Sequence, residues 1–170
     1  MRLSSLADYA VVMMAAAARH PAGARLSATL LAAETGVPLP TAQKLMGRLA
    51  GAGLLSSARG NGGGFMLARE AVGISLADIV EAVEGPIAVT NCIEGTVHDC
   101  ALEGSCRVKP HLNAVNGVVR GALQGVSLAS LARDIPASAR PEPVEGLPFL
   151  TSGPREGRAS TGSAQAEITQ

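Results

Sequence analysis

Three cysteines, Cys92, Cys100 and Cys106, fall within fifteen residues of a 170-residue chain that has no other cysteine. An odd number of thiols cannot close into a complete disulfide framework, and the start of the chain carries no export signal. The segment is therefore expected to bind a metal or carry a reactive thiol in the cytoplasm. Soft thiolates suit an iron-sulfur group or zinc, and a redox switch within a cysteine pair is a further reading. His98 and His111 stand near enough in sequence to complete a zinc set. Ordinary buried thiols are the plain alternative. The surroundings weigh against it, because Glu94, Gly95, Asp99, Glu103 and Gly104 make an acidic, glycine-containing loop with no apolar face.

Charge divides the chain although the net charge is zero. Residues 1–69 hold seven Lys and Arg against Asp8 and Glu34, a balance of +5, whereas residues 70–106 hold seven acids and no Lys or Arg. A basic block suits a polyanion, and an acidic block must face elsewhere. Aromatic residues are 2% of the chain and apolar residues 47%, so the core is expected to be Leu, Val, Ala and Met on packed helices. The apolar run Ala10–Ala18 is too short to span a bilayer, so no membrane association is expected.

The elements that must position these residues follow from periodicity and punctuation. Ser5 to about His20 spaces Leu6, Ala10, Met14 and Ala17 as one helix face, ended by Pro21-Ala-Gly23. Ser27 caps a second helix reaching Gly36, with Leu30, Leu31 and Ala33 offered to the core. A third helix, Pro40 to Ala52, turns Ala42, Leu45, Met46 and Leu49 inward and Thr41, Gln43, Lys44 and Arg48 outward. Two short helices and a tight turn, the second with a basic outer face, describe a helix-turn-helix. The runs Leu54–Ala58 and Phe65–Arg69 flank Arg59-Gly-Asn61-Gly-Gly-Gly64 and predict a β-hairpin wing. Ser75 to Glu84 predicts a short helix with Leu76, Ile79 and Val80 inward and its acids outward. Beyond the cysteines, Pro110 suits a first helical turn. Val108, Leu112, Val115, Val119, Ala122 and Val126 then form one coiled-coil-like stripe, which predicts a dimer interface.

The fold class expected is mainly α: a winged helix-turn-helix with a β-hairpin wing and a long carboxy-terminal dimerisation helix. The DNA-binding domain is assigned to residues 1–70, the short helix and cysteine loop to 71–106, the dimerisation helix to 107–134, and a disordered tail to 135–170. Gln43 is expected at a base edge and Thr41, Lys44, Arg48, Arg59 and Asn61 along the same double-stranded DNA operator. A solvated helix face is the bland reading of the same polar stripe.

Three blocks resemble the Rrf2 family of bacterial regulators, which includes the IscR, NsrR and RirA types. They are Leu3-Ser-Ser-Leu-Ala-Asp-Tyr9, the wing Arg59–Arg69, and the run from Cys92 through Cys100-Ala-Leu-Glu-Gly-Ser-Cys106 to His111. The cysteine block looks most like the branch regulating SUF-type iron-sulfur assembly genes. The resemblance implies a homodimer of winged-helix heads with a 2Fe-2S or 4Fe-4S cluster on Cys92, Cys100 and Cys106, controlling iron-sulfur assembly or iron and redox stress genes. Seven residues separate Cys92 from Cys100, a longer interval than is usual in the family, and Lys109 stands where the IscR type has a ligand histidine. The resemblance leaves Asp8, which matches an aspartate ligand supplied across the dimer in the NsrR type, and His111 as candidates for the fourth position. Arg59 resembles the family's minor-groove wing arginine, and Gln43 replaces a glutamate of the IscR type. No enzyme is expected: the chain has no Ser-His-Asp set and no phosphate loop followed by Lys and Ser or Thr. A DNA-binding regulator with structural zinc or a thiol switch is the alternative.

Overall fold

A computed structural model describes residues 3–58, 63–93, 100 and 105–133. Among these residues six helices and one hairpin follow in chain order: α1 (Ser5–Arg19), α2 (Ala28–Thr35), α3 (Leu39–Gly51), β1 (Leu55–Ala58), β2 (Gly64–Leu67), α4 (Leu76–Glu84), α5 (Lys109–Gln124) and α6 (Leu128–Leu131). A 3-10 turn, Ala71–Gly73, leads into α4.

Local chemistry sets the helix ends. Ser4, Ser27 and Ser75 each accept a backbone N–H from the first turn of α1, α2 and α4, satisfying donors that a helix start leaves open. At α4 the cap is reciprocal, because Asp78 accepts the Ser75 N–H at 2.9 Å while Ser75 accepts the Asp78 N–H. Gly36 closes α2 with φ of 74°, a left-handed conformation that lets the chain turn at once into α3.

The predicted inward face of α3 is buried throughout: Ala42, Leu45, Met46 and Leu49. They pack with Met13 and Met14 of α1, Leu31, Leu54, Leu55, Ile74, Ile79 and Leu128 in one core. Each buried Leu or Met contributes roughly 1.5–3 kcal/mol relative to exposure, so this aliphatic cluster substitutes for an aromatic core. On α2 the reading needs correction. Leu31 alone is fully buried, with Ala28 and Ala32 packed partly buried beside it, so the inward face of α2 runs through 28, 31 and 32 and leaves Leu30 and Ala33 exposed.

β1 and β2 pair antiparallel with Leu55 opposite Leu67 and Ala58 opposite Gly64. Leu26 adds a third, one-residue rung through two 2.8 Å bonds with Phe65, which ties the wing to the start of the helix-turn-helix. A Cβ on Gly64 would lie 3.0 Å from the Leu26 carbonyl oxygen, so close backbone approach explains this glycine.

The carboxy-terminal segment departs from the single dimerisation helix expected over 107–134. Helix α5 ends at Gln124, the chain returns to the head through an antiparallel bridge between Ser127 and Ser75, and α6 buries Leu128 in the main core. The single stripe also separates into two faces. Val119 and Leu123 pack beside Ala77, Val80 and Ile87, whereas Val108, Val115 and Val118 are 56%, 51% and 74% exposed. Val126 lies beyond the helix. The expected tail, residues 135–170, lies outside the described residues. Among the described residues no helix is long and apolar enough to cross a membrane.

Candidate DNA interface and cysteine segment

Helix α3 presents Gln43, Lys44 and Arg48 outward, with Thr41 half-buried at its first turn. Gly47 lies on the same face and was not singled out from sequence. A glycine inside a helix costs about 1 kcal/mol against alanine, and here nothing stands within 4 Å of where its Cβ would be. That unexplained cost was the signal available in the sequence. Arg59 and Asn61, expected at the wing tip, lie outside the described residues.

Arg48 is engaged within the chain. Its Nη1 donates to the Val83 carbonyl at 3.1 Å, at the last turn of α4, where the helix dipole favours a cation. Helix α4 is thus fastened to the candidate reading helix.

A second set of bonds fastens α4 to α5. Arg120 Nε and Nη2 donate to the two carboxylate oxygens of Glu81 at 2.8 and 3.1 Å, a forked pairing. Glu81 Oε1 also accepts the Ile87 N–H at 3.4 Å. The Arg120 hydrogen bond is the largest influence holding the Glu81 carboxyl below the usual carboxylate range. Partial burial opposes it, and the Ile87 N–H adds to it. The expectation that the acids of α4 all point outward is corrected at Glu81 by this pairing.

Asn116, the one buried polar residue among those described, completes the set. Its Nδ2 donates to the Ile87 carbonyl at 2.9 Å and its Oδ1 accepts the Val89 N–H at 3.0 Å. The strand of chain entering the cysteine segment is stitched to α5. Asn116 escaped the sequence reading because an asparagine on a helix ordinarily reads as solvated.

All three cysteines are free thiols. Cys92 and Cys106 are half-buried and Cys100 is exposed. The Cys92 Sγ lies 3.3 Å from Thr90 Oγ1. Asp8 is exposed on the first turn of α1, in a shallow recess with Leu3, Ser4, Ser5 and Glu84 that no cysteine lines. The Ser4 N–H donates to Glu84 there at 2.7 Å. His111 is exposed on the first turn of α5. Among the described residues no three His, Cys, Asp or Glu side chains converge into a metal-holding group. His98 lies outside them. The donors fit an iron-sulfur group in kind, as three unpaired thiols on one segment, while this structure leaves them ungathered.

A helix-turn-helix followed by a hairpin wing, with a basic helix face turned outward, defines a winged-helix transcription regulator. Residues 3–134 match the Rrf2 family model, described as an iron-dependent transcriptional regulator. The chain belongs to the Rrf2 family. It is similar to the HTH-type transcriptional regulator IscR of Photobacterium profundum, 32% identical over 136 residues that cover 79% of this chain and 77% of that protein. Among solved structures it resembles T. potens IscR at TM-score 0.59 and 26% identity, over 82% of this chain and 92% of that one. The oxidized form of Staphylococcus aureus CymR is similar at TM-score 0.59 and 26% identity, over 80% and 99%. These relatives are regulators and not enzymes, and so is this chain.

Proposed function

We propose that the protein is a homodimeric, double-stranded-DNA-binding regulator whose operator affinity is set by the state of the cysteine segment, with an iron-sulfur cluster as the sensing group. The observation that carries this reading is the fastening of both functional regions to α4. Arg48 of α3 holds its last turn, and Arg120 of α5 holds Glu81 within it. A displacement of the cysteine segment is then transmitted to the reading helix through packed, hydrogen-bonded elements.

Helix α3 enters the major groove, where Gln43 meets a base edge, Thr41 and Lys44 meet the adjoining backbone, and Gly47 admits a phosphate close to the helix. The wing, with Arg59 and Asn61, follows the neighbouring minor groove. The exposed face of α5, with Val115 and Val118, packs against a second copy. Cys92, Cys100 and Cys106 hold the cluster, and Asp8 of the second subunit or His111 supplies the remaining ligand. When bound, the cluster contributes an iron that is labile to oxidation or loss.

A second reading, a thiol switch or structural zinc without iron, is supported by the likeness to Staphylococcus aureus CymR, solved in an oxidized form, together with the three free thiols of this chain. A visible spectrum of protein purified without oxygen, with iron, sulfide and zinc assayed on the same sample, separates the two. Brown protein with matching iron and sulfide supports the first reading. Colourless protein holding zinc supports the second, as does protein that stays colourless after reconstitution with ferrous iron and sulfide.

A further inference from the structure

We propose that Asn113 is a positioning residue for Cys92, its amide oxygen being the acceptor that fixes the Cys92 turn when the cysteines gather. The inference rests on the reading of this segment as the sensor.

Arg120, Asn116 and Asn113 are spaced by four and three residues on α5 and share a face. Arg120 holds Glu81, and Asn116 holds Ile87 and Val89. Ile87 packs beside Val119 and Leu123 as well as bonding Asn116, whereas Val89, two residues on, bonds Asn116, so the segment runs from later toward earlier turns of α5. Asn113 stands one step beyond Asn116, about 4.5 Å further toward the start of α5. The next residues of the segment are Thr90 to Ile93, which include Cys92.

Asn113 Oδ1 is buried and has no hydrogen-bond partner among the described residues. A buried acceptor left open is unfavourable, so it biases the chain toward whatever arrangement supplies a donor. The open acceptor and the ungathered thiols occur in the same structure. One movement closes both: the Cys92 turn settles against α5, its backbone N–H donates to Asn113, and Cys92 is brought toward the Cys106 end of the same helix. Asn113 acts through the backbone of the turn and touches no metal.

The test uses the full chain with Asn113→Leu, which keeps the volume and removes the acceptor, and Asn113→Asp, which keeps an acceptor oxygen. Ferrous iron and sulfide are added without oxygen, and uptake is followed by visible circular dichroism. Cys92 and Cys106 alkylation by iodoacetamide is timed by peptide mass spectrometry, before and after loading. Expected for Asn113→Leu is a roughly tenfold rise in the iron needed for half-loading, of the size seen when an outer-shell partner is removed. Cys92 should also lose its loading-dependent protection while Cys106 keeps its own, and Asn113→Asp should restore most of both. Wild-type uptake and wild-type Cys92 alkylation in Asn113→Leu would overturn the assignment. If the wild-type protein takes up no iron or sulfide, the cluster reading falls on its own. The assignment is then decided by metal-free alkylation: a change of about fivefold at Cys92 alone supports it, and equal rates overturn it. Should Asn113→Leu not fold, Asn113→Ala is read by the same criteria.

Discussion

Arg48 of α3 donates to the carbonyl of Val83, 35 residues further along the chain, and so joins the polar face of α3 to the end of α4. Lys44, one turn earlier on α3, is exposed. The two cations should therefore fail differently. Lys44→Ala should lower DNA affinity across sequences and reduce the slope of log affinity against log salt by about one, as expected for one lost phosphate contact. Arg48→Ala should weaken binding with a smaller change of slope, because it loosens the seating of α3. Anisotropy titrations at several salt concentrations measure both.

Gly47 separates stability from function. Gly47→Ala meets open space and should raise stability by up to about 1 kcal/mol in urea unfolding. The same methyl group should weaken DNA binding if the helix approaches a phosphate there. A variant with unchanged affinity would remove Gly47 from the interface.

Glu81 gives the fold an acid limb. Its folded pKa is lowered from 4.5, chiefly by the Arg120 hydrogen bond. A carboxylate with a depressed folded pKa contributes fully above its unfolded value, and the contribution is lost as pH falls through the folded one. Thermal midpoints taken downward from about pH 6 should fall through and below the ordinary carboxylate range. Glu81→Gln should lower the midpoint at neutral pH and flatten that part of the profile. An unchanged profile would mean that the pair does not stabilise the junction of α4 and α5.

Val118 is 74% exposed on α5, so a charge there costs the monomer little. Val118→Glu should convert a dimer to a folded monomer by sedimentation velocity and reduce operator affinity at least about tenfold through loss of bivalent binding. A dimer that survives the substitution would place the interface elsewhere.

The head was legible in the sequence because its signals are local. Ser27 and Gly36 punctuate α2, the apolar spacing of α3 marks its buried face, and the glycine-rich run announces the hairpin. The region after Gly73 was less legible because its organisation is long-range. A four-three stripe read along one dimension merged Val119, which faces α4, with Val115, which faces away. The return of Leu128 to the core depends on pairing between Ser127 and Ser75, distant in sequence. The cysteines were found by type and spacing alone. The gathering proposed for them rests on tertiary and subunit arrangement, which spacing does not encode.

Control of DNA binding by the cysteine segment is the proposal on which the rest depends. The direct measurement is affinity for a duplex selected from a random pool by the protein, compared between the anaerobically loaded and metal-free forms of the wild type and of Cys92→Ala, Cys100→Ala and Cys106→Ala. Expected is a change of about tenfold or more between the two wild-type forms, the size of a typical coupling between sites, and no such change in the three variants. Equal affinity of all four proteins under every condition would contradict it.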